Sequence, residues 1–110
     1  MATTATFYHK GENLDYPNTT DAVIPANTIV SLGTRVGVIG MDIQPGEKGV
    51  VHVEGVFKMP KVTGAISMGT AVYLNSDGKV TTTETSNVPA GYVTADAASA
   101  DAVACVKLLG

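Results

Sequence analysis

Between residues 23 and 93, an apolar residue, a Pro or Gly and a small residue repeatedly lead into a short Val-rich run. The copies are Ile24-Pro25-Ala26-Asn27-Thr28-Ile29-Val30, Ile43-Gln44-Pro45-Gly46-Glu47-Lys48-Gly49-Val50-Val51, Ile66-Ser67-Met68-Gly69-Thr70-Ala71-Val72 and Val88-Pro89-Ala90-Gly91-Tyr92-Val93. Pro fixes φ and Gly tolerates φ above zero, so each copy reads as a corner feeding a strand. Corners this frequent predict a small, compact all-β domain of short strands, barrel-like in outline. The chain has 110 residues, which suits one domain. Its apolar content is mostly Ala and Val, with two Phe and no Trp, which fits a thin β core better than thick helix packing.

The strand pattern follows from these corners. Thr28–Leu32 and Arg35–Ile39 flank Gly33-Thr34, a two-residue hairpin loop with Gly at its first central position. Gly49 to Met59 alternates, with Val51, Val53, Phe57 and Met59 on one face and His52, Glu54 and Lys58 on the other. This reads as one strand, with Gly55 as a bulge. Thr70–Leu74 and Lys79–Thr83 form a second hairpin through Asn75-Ser76-Asp77-Gly78. Its first arm echoes Thr28-Ile29-Val30-Ser31-Leu32, which suggests two similar β units packed together. Gly91–Thr94 and Val103–Leu109 complete the strands, and residues 95–102 read as a loop. Residues 1–16 read as an N-terminal arm and a polar loop, and residues 17–110 as a single β domain.

Charge and cysteine content narrow the function. The net charge is −3 and no basic cluster exceeds Lys58 and Lys61 near Lys48, so nucleic-acid binding through displaced counterions is not expected. The single Cys105 cannot form an intramolecular disulfide and fits a reducing compartment. No apolar run nears the roughly 20 residues of a membrane helix. The opening Met1-Ala2-Thr3-Thr4 lacks a secretion-signal pattern. The expectation is a soluble chain made in the cytosol, with no membrane partner.

Few residues could carry covalent chemistry. His52 supplies an imidazole, the side-chain type best suited to acid or base work near neutral pH, and Glu54 lies two residues away on the same strand face. The same pair also suits an ordinary wet strand face. A zinc site needs three or four converging ligands, whereas the chain has two His and one Cys, far apart. Cys105 reads as a small buried apolar residue on the last strand. None of the serines sits in a Gly-x-Ser-x-Gly elbow. Neither an enzyme nor a cofactor is expected.

The N-terminus is different. Thr3, Thr4, Ala5, Thr6, Phe7 and Tyr8 are uncharged, and such a terminal run either pairs with a sheet or stays loose. It can add a strand to a neighbour's edge with the two aromatics as anchors, or serve as the domain's own first strand.

Taken together, Ala5–Tyr16, Ile24–Val38, Val53–Lys61, Gly69–Tyr73 and Ala90–Val93 resemble the capsid cement proteins of tailed phages. The resemblance implies a decoration protein on the capsid exterior, with a β-barrel or β-clip-like domain, that locks major capsid protein subunits together. Its role would be similar to that of the phage lambda head decoration protein, which implies a homotrimer made in the host cytoplasm. By the same resemblance Thr3, Thr4, Ala5, Thr6, Phe7 and Tyr8 form a capsid-contact arm. No cofactor and no catalytic motif come with it. A small carbohydrate- or ligand-binding module of a virion is the alternative, with Tyr8, Tyr16, Tyr73 and Tyr92 as the aromatic candidates.

Overall fold

A computed structural model describes residues 3–109. The described residues hold nine strands and no helix. These are β1 (Asn13–Pro17), β2 (Ile29–Ser31), β3 (Val36–Ile39), β4 (Lys48–His52), β5 (Val56–Pro60), β6 (Ala71–Leu74), β7 (Val80–Thr81), β8 (Val88–Val93) and β9 (Val103–Leu108). They form two open antiparallel sheets, ordered β1-β4-β3-β2 and β5-β9-β8-β6-β7. The all-β expectation holds, but the sheets pack as a sandwich-like pair and do not close into a barrel.

Both hairpins form where the turn chemistry places them. Leu32 N–H donates to Arg35 O at 2.7 Å across Gly33-Thr34. Asn75 N–H donates to Lys79 O at 2.9 Å around the Asp77-Gly78 turn. The long strand over Gly49–Met59 does not form as one piece. It breaks at Glu54-Gly55 into β4 and β5, which belong to different sheets. Gly55 has φ +114°, a conformation that L side chains resist, so the residue is the joint between sheets rather than a bulge within one. The in-out alternation survives the break: Val51, Val53 and Met59 are buried, and Glu54 and Lys58 exposed. A second correction concerns the polar segment after the arm. Asn13–Pro17, expected as a loop, is a strand paired along its length with β4, from Asn13 opposite His52 to Pro17 opposite Lys48.

The echo between the two Thr-initiated strands extends to the whole chain. β1, β4, β3 and β2 have counterparts in β5, β9, β8 and β6, with the same neighbours in the same order. Each half is closed by an equivalent isolated bridge, Ile24–Ile43 in the first and Ile66–Ala97 in the second. Each bridge is braced by an Asp, since Ala26 N–H donates to Asp42 Oδ1 at 2.8 Å and Met68 N–H to Asp96 Oδ1 at 2.7 Å. The backbone corners match as well. Ile39 N–H donates to Thr28 O at 2.9 Å, as Val93 N–H does to Thr70 O at 3.0 Å.

The halves share their main core. Val36 and Val38 of β3 pack with Met59, Val72, Val80, Val93, Val106 and Leu108 of the second sheet. The opposite side of β3 and β4 packs Ile39 and Val51 against Ile43 beneath the first bridge, with Tyr16, Ile24 and Val30 at its margin. β3 is therefore buried on both faces and forms the centre of the sandwich.

Candidate functional site

Thr3 to Tyr8 lie outside both sheets and are exposed throughout, with Phe7 at 81% and Tyr8 at 90% of their full accessibility. No hydrogen bond ties them to any other described residue. The Tyr8 ring lies beside that of His9, at 4.9 Å between centroids. An apolar aromatic pair left this open is costly in water, where full burial of such a side chain is worth about 2 kcal/mol. The arm is uncharged and Thr-rich, and among the described residues it joins neither sheet.

The arm leads through Gly11 to an open cavity of about 330 Å³ lined by Glu12, Asn13, His52, Glu54 and Gly55. The β1–β4 register brings Asn13 opposite His52, and the chain reversal at Gly55 brings Glu54 beside them. His52 Nδ1–H donates to Asn13 Oδ1. Its ring lies 6.1 Å from that of Phe57, and a methyl group at Gly40 would approach Nε2 to 2.7 Å. The imidazole is held by Asn13, Phe57 and Gly40, whereas Glu54 shares the cavity without a hydrogen bond to it. The partner expected from the strand pattern is thus replaced by Asn13, which pairs from a strand hidden in a polar segment. Neither a serine nor a cysteine lines the cavity. Among the described residues no group of three His, Cys, Asp or Glu converges as metal ligands do.

The remaining candidates lie elsewhere. Cys105 faces outward on β9, half-buried and opposite Lys58, rather than in the core as expected. Its neighbours two residues away on that face, Val103 and Lys107, are exposed, so the thiol packs on a surface and not in a pocket. Tyr16 packs under the first bridge. Tyr92 is stacked near Lys107 Nζ at 5.8 Å, and the Tyr73 hydroxyl donates to Glu84 Oε2 at 3.1 Å. That acceptor, with a smaller contribution from burial and from the carboxylate charge, raises the Tyr73 phenol above its ordinary 10.0. None of the four tyrosines lines the cavity.

Two buried polar residues escaped the sequence reading. Asn18 donates through Nδ2 to Ala22 O and Ile43 O, both at 2.8 Å, and accepts from Thr20 N–H at 2.9 Å. Lys61 sits at the equivalent place in the second half, where Nζ donates to Val62 O at 3.0 Å and Asp101 O at 3.2 Å. Both follow a proline, Pro17 or Pro60, at the end of the matching strand. That position was the only signal in sequence, and it does not reveal burial.

No helix among the described residues is long and apolar enough to cross a membrane. A family model described as phage cement protein matches residues 8–108. No curated protein and no solved structure matches the chain.

Proposed function

Given that the chain belongs to the phage cement protein family, whose members are structural components of the virion capsid, we propose that it binds the outer surface of the head and stabilises contacts between major capsid protein subunits. The match over residues 8–108 carries the reading. A protein that binds only the assembled lattice adds its binding free energy to that lattice. A homotrimer would multiply the effect, since the second and third copies bind at high effective concentration. On this reading the molecule is a rigid structural part with no catalytic role and no cofactor.

The arm Thr3–Tyr8 is proposed as the segment that engages neighbours in the shell, with Phe7 and Tyr8 as apolar anchors. Thr3–Phe7 precede the matched span, so the proposal rests on their exposure and their lack of partners.

The test is co-sedimentation with heads of the parent phage that lack this protein. Full-length chain is expected to pellet with the heads and to protect them from heat. A form lacking residues 2–8 should remain folded and stay in the supernatant. Equal binding by the truncated form would remove the arm from the reading, and no binding by full-length chain would remove the cement role itself.

A further inference from the structure

The two halves of the fold treat one sheet edge differently. In the second half β6 lies between β8 and β7, with Tyr73 opposite Thr81 and Leu74 opposite Val80. In the first half β2 occupies the place of β6 but ends its sheet. The connections explain the difference. Leu32 and Arg35 close directly into β3, whereas residues 75–87 insert a turn, β7 and a loop before β8. Ser31 therefore stands where Tyr73 stands, with no strand opposite.

Residues of an antiparallel ladder alternate between directing their backbone groups towards the partner and away from it. Ile39 N–H reaches Thr28 O, and Leu32 N–H reaches Arg35 O. Thr28, Val30 and Leu32 thus face β3, and Ile29 and Ser31 direct N–H and C=O outward. No described residue takes these groups.

The other three sheet edges are guarded. β1 carries Asp15 and Pro17, and β5 carries Lys58 and Pro60. Charges and prolines are the usual means of stopping an edge from adding a strand. β7 is covered by a parallel bridge from Lys61, with Val62 N–H donating to Val80 O at 3.0 Å. β2 is Ile-Val-Ser, with neither a charge nor a proline.

The chain also carries the matching piece. Thr3-Thr4-Ala5-Thr6 is uncharged, Thr-rich and unpaired, and its composition is close to the Val80-Thr81-Thr82-Thr83 segment that covers β6. We propose that Thr3–Thr6 of one copy adds antiparallel to β2 of a second copy, across Ile29 and Ser31, in the place that β7 takes on β6. The second copy is the occupant because this chain supplies both the unpaired strand and the unguarded edge. Donor arm and recipient edge are different surfaces, so the contact is heterologous, and copies joined this way form a ring when the rotation between them closes. Among the neighbours in the decorated shell, Thr3–Thr6 then engage a second copy of this chain, and Phe7 and Tyr8, at the root of the arm, the capsid protein. The proposal deepens the trimer reading above by naming its contact, and it is tested without any capsid present.

The experiment compares full-length chain, a form lacking residues 2–6 and the variant Ser31→Pro by light scattering and amide hydrogen exchange. Ser31 N–H faces away from β3, so the proline blocks the edge and spares the β2–β3 ladder. Full-length chain is expected at a multiple of the single-chain mass, with the Ile29 and Ser31 amides slowed. The shortened form should be monomeric, with those two amides exchanging on the order of tenfold faster and the rest of the fold unchanged. Ser31→Pro should also be monomeric. A monomeric full-length chain at its highest soluble concentration would overturn the proposal. So would an unchanged mass after deletion, or slowed Ile29 and Ser31 amides in a monomer, which would mean that the arm folds onto its own sheet. The cement reading fails separately, if the ring forms but does not decorate heads.

Discussion

Tyr73 shows how a single side chain ties together segments that the sequence keeps apart. It sits on β6 opposite Thr81, and its hydroxyl holds Glu84 in the loop beyond β7. The neutral phenol is the form favoured in the folded chain, because its hydrogen bond to the carboxylate is lost on ionisation. The contribution of this tie to stability is therefore present below the ordinary tyrosine range and is lost as pH rises through the raised value. Tyrosinate absorbance should show a late step above the ordinary tyrosine range, absent in Tyr73→Phe and returned to that range in Glu84→Ala. If Glu84→Ala leaves the late step in place, the assignment of its cause is wrong. Asn18 and Lys61 show the limit at this scale. Each is polar in a polar neighbourhood, and only the return of a distant chain segment, Ile43 for one and Asp101 for the other, makes it a buried clamp.

Strands and turns were legible wherever local chemistry dictates them. Gly33-Thr34 and Asp77-Gly78 mark their hairpins, and the alternation from Val51 to Met59 marks its buried face. Two elements depart from what local pattern predicts, for different reasons. Residues 49–59 keep a period of two through Gly55, and alternation alone cannot say that the chain changes sheets there. β1 contains Asn13, Asp15 and Pro17, because it is an edge strand half open to water, and its pairing with β4 is what makes it a strand. The pairing of β8 with β9 depends on a glycine that sequence presents only as part of a corner. Gly91 has φ +151°, and a Cβ there would lie 1.8 Å from Lys107 O. Gly91→Ala is expected to cost about 3 kcal/mol or more through strain and overlap with backbone. Gly11→Ala, where a Cβ meets nothing within 4 Å, serves as the neutral control. Urea midpoints measure both, and a near-neutral Gly91→Ala would contradict the close approach of β8 and β9.

At the scale of the whole molecule the chain is one four-stranded plan used twice, with an extra strand in the second copy. The halves are not independent, since Val36 and Val38 of the first lie in the core of the second. Residues 1–54 alone would expose both valines, so that fragment is expected to be unfolded. The intact chain should lose secondary structure and tyrosine packing in one coincident denaturant transition. A folded fragment, or two separated transitions, would show that the shared core does not couple the halves. The corners, the short strands and the uncharged arm are set by local backbone chemistry, and proline, glycine and side-chain alternation write these directly into the sequence. Which strands pair, where the chain passes from one sheet to the other, and which edge stays open depend on contacts between distant residues. Only the tertiary structure could decide them, because the turn that ends β2 and the loop that carries β7 over β6 differ in what they place beside the strand.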